Sequence, residues 1–305
     1  MELPTPLERA PASLAAYAAC EDLRLKREDL HELGMFKWRA ALPVVRELAG
    51  EGHATIVTSS TGNHGAAVAW ACREFGSHAI VFVPPRVTET KLALLRSLGA
   101  DVRIAGVDLD DAKHHAYVWA RSEGLPFFED GAEPLQYEAY RAIGDEILDQ
   151  LDAPPAAVVT PIGNGALAGG VGAALGRRSS GTTRVGVVAK DMPVMAESFD
   201  ADRPVDVGPG STIADGLAVR VAIPLAVSRL RDGVDLMLRV SEREIAAALV
   251  ACHDAGVEVE PSAAAALAAA RALDTSGPVV LVMTGRNFDP AVLERARAGL
   301  ESFPD

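Results

Sequence analysis

Short apolar runs alternate with helical patterns along most of the chain, and this alternation constrains its fold more than any other feature. Helical patterns separate runs of strand-forming residues at 56–58, 79–83, 102–105, 157–160, 184–189 and 279–283. Strands that alternate with helices in this way form parallel sheets joined by right-handed crossovers. The sequence therefore predicts an α/β fold.

Several of the helices have recognisable ends. Gly76 is expected to stop the helix that follows the first run, because glycine ends helices readily. Ser241 and Glu244 have the spacing of a capping box at the start of another helix. Ser262 is expected to cap the alanine-rich stretch 263–270, which we interpret as a packed helix rather than a linker.

Composition excludes several classes of protein. The net charge of −13 over 305 residues argues against nucleic-acid binding, which needs clustered Lys and Arg. Cys20, Cys72 and Cys252 lie far apart, so we expect inert thiols rather than disulfides or a metal site. The N-terminal segment lacks the pattern of a signal peptide, and no apolar stretch reaches about 18 residues. We therefore expect a cytoplasmic protein without a membrane span.

Two loops that follow strands have compositions suited to anions. Ligands bind such folds beyond the carboxyl ends of the parallel strands. The loop Ser60–His64 opens a helix, whose first N–H groups suit a carboxylate, although an ordinary capped turn explains it equally. The loop Thr160–Ala166 resembles a phosphate cradle without the lysine of a Walker loop, and a plain tight turn is the alternative.

One lysine and one threonine complete the set of candidate residues. Lys37 stands between Phe36 and Trp38, and a desolvated lysine can form a Schiff base. The alternative is a surface lysine whose stem covers apolar neighbours. Thr284 ends the last apolar strand, where a hydroxyl can face a ring nitrogen or merely belong to a turn.

These segments occur in a fixed order along the chain: Lys26–Leu30, Phe36–Lys37, Ser60–His64, Pro161–Gly165, Thr212–Gly216, Glu260–Ser262 and Thr284–Gly285. The series resembles the fold-type II pyridoxal-phosphate enzymes, which include threonine and serine dehydratases, serine racemase, threonine synthase and cysteine synthase. The resemblance implies two parallel-sheet domains, the smaller inserted in the larger. The large cofactor-binding domain would comprise 1–41 and 141–305, and the small mobile domain 42–140.

The resemblance implies a role for each matching residue. Lys37 would hold pyridoxal 5′-phosphate as a Schiff base and move the Cα proton of the substrate. Thr284 would hydrogen-bond the pyridine nitrogen, where a neutral hydroxyl favours β-elimination over transamination. The remaining cofactor contacts would be Phe36, Asn63, Gly163, Asn164, Gly165, Ala166 and Leu167, and the substrate carboxylate would bind Ser60, Thr61, Asn63 and His64.

The resemblance also implies an activity. We expect a homodimeric lyase that removes water and then ammonia from a β-hydroxy amino acid such as threonine or serine, giving a 2-oxo acid. The alternative is β- or γ-replacement, as in cysteine or threonine synthases, and Thr61, Glu138–Arg141 and Thr284–Gly285 are more typical of those relatives. A non-catalytic relative that binds partners is a third hypothesis, against which the intact Lys37 and Asn63 argue.

Four further features bear on metal binding, on substrate contacts and on regulation. Lys190-Asp191 stands where metal-activated relatives carry a Glu, so no metal is expected. The Lys190 ammonium would either replace the cation by binding carbonyls or lie exposed in a loop. Lys113 and Arg141 are candidates for a second contact with the substrate's anionic group, or solvated charges. We expect no feedback control through a C-terminal domain, because few residues follow Asn287.

Overall fold

The structure of the protein is a computed structural model that describes residues 4–208 and 210–305. The first three residues of the segment considered for a signal peptide lie outside the described residues. The strands of the described part are β1 Leu7–Arg9, β2 Leu23–Arg27, β3 Thr55–Ser59, β4 His78–Val83, β5 Asp101–Ile104, β6 Ala157–Pro161, β7 Thr183–Ala189, β8 Leu236–Val240 and β9 Val279–Met283. Its α-helices are α1 Ala12–Tyr17, α2 Trp38–Gly50, α3 Asn63–Phe75, α4 Glu89–Ser97, α5 Leu109–Glu123, α6 Pro134–Asp149, α7 Ala166–Arg178, α8 Val194–Ala201, α9 Pro224–Gly233, α10 Glu242–Asp254, α11 Pro261–Ala270 and α12 Pro290–Ala298.

The chain forms two compact units. Unit 1 comprises Met1–Phe36 and Tyr140–Asp305, and unit 2 comprises Lys37–Ala139. The division expected from the sequence lies after residues 41 and 140, and the contacts of the chain place it after Phe36 and Ala139. Lys37 therefore opens unit 2, although the expected division put it in the larger domain.

The sheet of unit 1 has the strand order β1-β2-β9-β6-β7-β8. Only the edge pair β1–β2 is antiparallel within the described residues, and the other neighbours run parallel. The strands predicted at 157–160, 184–189 and 279–283 are confirmed as β6, β7 and β9. Because β6 and β9 are neighbours in register, the loops that follow them leave the same edge of the sheet side by side.

Helix α11 lies at the centre of the unit 1 core. All ten of its residues are buried, which confirms the packed helix predicted at 263–270. A helix that is apolar on every side has no face for solvent, and alanine lets neighbouring elements approach closely. The predicted cap at Ser262 is wrong: Glu260 is the N-cap residue, and the Ser262 hydroxyl instead accepts the N–H of Gly216 at 3.0 Å.

The predicted capping box at the start of α10 is confirmed. The Ser241 hydroxyl accepts the Glu244 N–H at 3.2 Å, and the Glu244 carboxylate accepts the Ser241 N–H at 2.8 Å. Both bonds satisfy backbone donors that the first turn of a helix leaves without partners.

Removing this cap has a predictable cost. We expect Ser241→Ala to lower the free energy of unfolding by about 1 kcal/mol, because an N–H of the first turn loses its acceptor. Ser122→Ala is the matched control. Ser122 lies in the last turn of α5, where its hydroxyl donates to the Trp119 carbonyl in an exposed hydrogen bond and caps no N–H group. Chemical denaturation of both variants measures the difference, and an equal effect of the two substitutions would contradict the assignment of the cap.

Unit 2 contains a parallel sheet of order β3-β4-β5, with helices α2 to α5 among its other elements. The predicted strands at 56–58, 79–83 and 102–105 correspond to these three. Val57, Ile80 and Phe82 form a core with the buried alanines of α5. Gly76 ends α3 with a φ of +68°, as predicted.

The three cysteines are free thiols, as their wide spacing in the sequence predicts. Cys72 and Cys252 are buried free thiols, and burial raises the pKa of each to about 12, so neither forms a thiolate near neutral pH. Cys20 is also a free thiol, and burial raises its pKa too. Across residues 4–208 and 210–305 no helix combines the length and the apolar character needed to cross a bilayer.

Candidate active site

Three predicted parts of the cofactor site in unit 1 lie at the carboxyl edge of its sheet. The loop Ile162–Gly165 follows β6, and Thr284 follows the neighbouring strand β9. The N–H of Phe36 donates to the Thr284 carbonyl at 3.0 Å, and a bridge joins Met35 to Gly285. Phe36, Thr284 and the loop after β6 are therefore fixed to one edge of the sheet.

The loop after β6 is shaped like an anion cradle. Gly165 has a φ of +94°, which a residue with a side chain rarely adopts, and it leads directly into α7. A Cβ on Gly163 would meet the carbonyl oxygen of Gly216. The Asn164 Oδ1 accepts the Ala166 N–H at 3.1 Å, which holds the turn in place. Gly163 thus lets the loop pack closely on Gly216, and the turn leads into the N-terminus of α7, a place that suits a phosphate.

Three motifs that are distant in sequence meet around this edge. The Ser262 hydroxyl binds the Gly216 N–H, and Gly216 packs on Gly163. The Glu260 N–H donates to the Gly285 carbonyl at 2.9 Å, and the buried Thr284 hydroxyl donates to the Glu260 carboxylate at 3.3 Å. Sequence reasoning gave Glu260 no role, although the apolar residues near it indicated a buried carboxylate that needs a partner.

In unit 2, Lys37 is the residue that precedes the first turn of α2. Its Nζ lies 2.6 Å from the Oδ2 of Asp130, in a half-buried position where the lysine side chain is 17% exposed. Asp130 is 93 residues away along the chain and was not among the predicted site residues. The sequence signal that could have indicated it is the acidic turn Glu129-Asp130-Gly131, which follows two phenylalanines.

The loop Ser60–Gly62 joins β3 to α3 in the same unit. The Gly62 N–H donates to the Ser60 Oγ at 3.2 Å, and the Ser60 N–H donates to the Phe82 carbonyl at 3.2 Å. The side chains of Ser60, Thr61 and Asn63 are half-buried, at the N-terminus of a helix of 13 residues. Their role in binding the substrate carboxylate stays a prediction.

His64 points its ring into unit 2. Its Nε2 lies 3.1 Å from the Thr58 hydroxyl, and its Nδ1 lies 3.6 Å from Asp130. Burial lowers the pKa of His64, and the Asp130 carboxylate opposes this shift without reversing it. A buried, neutral imidazole with both nitrogens facing protein atoms positions other side chains, so a contact of His64 with a carboxylate would use its backbone N–H.

The remaining candidates lie in varied settings. Lys113 forms an ion pair with Glu129 at 2.8 Å, and Arg141 is half-buried in α6. Lys190 is exposed, and its Nζ donates to the main-chain oxygen of Asp305 at 3.2 Å. No group of three His, Cys, Asp or Glu residues in the described ranges is arranged to hold a metal ion.

Each unit by itself carries groups that fit a part of pyridoxal phosphate. In unit 1, the glycine-rich loop before α7 suits the phosphate, because Gly165, with a φ of +94°, turns the chain into a helix N-terminus, where N–H groups bind anions. The half-buried primary amine of Lys37 suits the aldehyde of the cofactor. Phe36, which is 9% exposed, and the buried Thr284 supply an aromatic ring and a hydroxyl.

Comparison with known proteins agrees with this chemistry. Residues 1–285 match the protein family described as "Pyridoxal-phosphate dependent enzyme". An L-threonine ammonia-lyase of Thermotoga maritima is 32% identical over 278 residues, which cover 90% of this chain and 69% of that protein. A second L-threonine ammonia-lyase, from Geobacter sulfurreducens, is 32% identical over 272 residues, covering 87% of this chain and 67% of the relative.

A solved structure is similar over almost the whole chain. The processed form of threonine deaminase isoform 2 from Solanum lycopersicum superimposes with a TM-score of 0.91 and 28% identity, covering 97% of this chain and 88% of the other. The sequence comparison and the structure comparison both identify pyridoxal-phosphate enzymes or threonine deaminases as similar proteins. The chain belongs to the family of pyridoxal-phosphate-dependent enzymes.

Proposed function

We propose that this protein is a pyridoxal-phosphate-dependent ammonia-lyase that acts on a β-hydroxy amino acid such as L-threonine or L-serine. The observation that carries the proposal is the half-buried Lys37 amine in the unit that also holds the loop Ser60–His64. Relatives named as L-threonine ammonia-lyases support the choice of reaction and substrate.

Lys37 is assigned the proton transfers. When bound, the cofactor withdraws electrons from the amino acid and so weakens its Cα–H bond. The Lys37 Nζ, as a neutral amine, takes the Cα proton and becomes an ammonium ion. Loss of the β-hydroxyl as water then gives an enamine, which water hydrolyses to the 2-oxo acid and ammonia.

We assign the binding of the substrate carboxylate and of the cofactor phosphate to the N-termini of two helices. The N–H groups at the start of α3, with Ser60, Thr61 and Asn63, would bind the substrate carboxylate. Those at the start of α7, from Gly163 to Leu167, would bind the cofactor phosphate. Neither loop contains Lys or Arg, so backbone dipoles rather than side-chain cations would stabilise both anions.

A substrate assay tests the proposal. We expect purified protein supplied with the cofactor to release a 2-oxo acid steadily from L-threonine or L-serine, with no second substrate, because elimination ends in hydrolysis. Coupled reduction of the 2-oxo acid measures the rate, and heat-denatured protein is the control. Product that forms from O-acetyl-L-serine only after a thiol is added would instead indicate β-replacement.

We also propose that the protein acts as a homodimer in the cytoplasm, as the resemblance to fold-type II enzymes implies. Light scattering coupled to size-exclusion chromatography measures the mass in solution. A mass of twice the 31.9 kDa chain is expected, and a monomer at micromolar concentration would contradict the assembly.

A further inference from the structure

Asp130 stands at the centre of a cluster of polar side chains in unit 2. One carboxylate oxygen, Oδ2, accepts the Lys37 ammonium at 2.6 Å. The other oxygen, Oδ1, accepts the Gln136 Nε2 at 3.1 Å and lies 3.6 Å from the His64 Nδ1. The carboxylate therefore has one oxygen for the lysine and a separate oxygen for the groups that hold it.

The groups that hold Asp130 are themselves fixed. Gln136 is fully buried, and its Oε1 accepts the Gly131 N–H at 2.7 Å. The Tyr137 hydroxyl donates to the Gly131 carbonyl at 2.8 Å, which ties the turn after Asp130 to α6. The His64 ring packs edge-on against Phe128, with ring centroids 4.7 Å apart. Side chains locked in this way are typical of a positioned functional group rather than a surface ion pair.

The charges of the cluster are well defined. Burial alone would raise the pKa of the Asp130 carboxyl, but the Lys37 ammonium and the hydrogen bonds from Lys37 and Gln136 hold that pKa well below its usual range. Because burial keeps His64 neutral near pH 7, the Lys37 ammonium is the cation that directly faces the carboxylate. The next charges, Glu129 and Lys113, pair with each other at 2.8 Å.

We propose that Asp130 is the positioning residue of Lys37, and that its carboxylate holds the lysine Nζ in place as an ammonium ion. The role rests on the proposed function, in which the same Nζ must be neutral to take a proton and charged afterwards. A carboxylate 2.6 Å away stabilises the charged form. Asp130 thus limits the reactivity of the free amine and favours the ammonium ion that proton transfer produces.

The test is the chemical reactivity of Lys37 in the full chain freed of its cofactor. Acetic anhydride acylates neutral amines, and mass spectrometry of the Lys37 peptide gives the rate. We expect Asp130→Asn to speed this acylation about tenfold near pH 7, because the Lys37 Nζ is then no longer held by a carboxylate.

Two further variants separate charge from structure. Glu129→Gln removes the same charge from the adjacent residue, and it should change the acylation of Lys37 by no more than about twofold, since the Lys113–Glu129 pair is partly exposed. Asp130→Glu keeps the carboxylate and should react within about threefold of the parent protein, even if the turn is disturbed.

Two results would overturn the role of Asp130. These are an unchanged rate in Asp130→Asn, or an Asp130→Glu variant as reactive as Asp130→Asn. The measurement uses no amino-acid substrate, so it is independent of the proposed lyase activity. Acylation as expected, together with no 2-oxo acid from threonine or serine, would leave the ion pair established and refute only the proposed function.

Discussion

Replacing Lys37 with alanine is expected to lower the rate of 2-oxo acid formation by at least about a thousandfold, the largest effect of any single substitution. The variant loses the amine that the proposed function uses both to attach the cofactor and to take the Cα proton. Purified Lys37→Ala should also lack the visible absorbance of cofactor bound covalently to protein. Steady-state assays with L-threonine and L-serine, and an absorbance spectrum, measure the two losses.

Lys91→Ala is the matched control for this substitution. Lys91 lies in the same unit, on helix α4, and has no part in the proposed site. The control should retain both the activity and the absorbance. Residual activity of Lys37→Ala within about tenfold of the parent would show that another group moves the proton, and retained covalent cofactor would show that another lysine carries it.

A second large effect is expected at Gly172, in the middle of helix α7. A Cβ at this position would meet the backbone carbonyl of Gly233, the last residue of α9, so neither atom has room to move aside without shifting a helix. We expect Gly172→Ala to reduce the free energy of unfolding by about 3 kcal/mol, or roughly 6–12 °C in Tm. Thermal denaturation followed by circular dichroism measures the shift.

Gly181→Ala provides the comparison for Gly172. A Cβ at Gly181 meets no atom within 4 Å, so this variant should differ from the parent by no more than about 0.5 kcal/mol. Because α7 begins at the phosphate cradle, Gly172→Ala should also bind the cofactor more weakly. Equal stability of the two variants would mean that α7 and α9 can separate at little cost, contrary to their backbone contact.

The sequence predicted those elements whose pattern is local. The strand at 279–283 is entirely apolar and buried, and the capping box at Ser241 needs only two residues three positions apart. Strand β2 was not predicted, because Lys26 and Arg27 interrupt its apolar pattern. Their charges are tolerated inside the sheet because Lys26 pairs with Glu146 at 2.5 Å and Arg27 pairs with Asp29 at 2.7 Å.

In the candidate site, the loops could be predicted from the sequence, but Asp130 could not. Loops after strands, such as Ser60–His64 and Gly163–Ala166, have residue types and an order that indicate anion binding by themselves. Asp130 has no such pattern, since its partners Lys37 and His64 lie 93 and 66 positions earlier in the chain. A site formed by one loop can be predicted from the sequence of that loop. An ion pair between distant segments can be identified only once the fold is known.

The buried helix α11 shows that a core can be selected for size rather than for hydrophobicity. Apart from Leu267, all of its residues are Pro, Ser or Ala, so its side chains lose almost no conformational freedom on folding. Each alanine buries little apolar surface, yet any larger side chain would have to displace a strand or a helix around it. This stretch therefore acts as a spacer of fixed thickness, which sets how closely the sheet and α10 approach the edge where Glu260 and Thr284 meet.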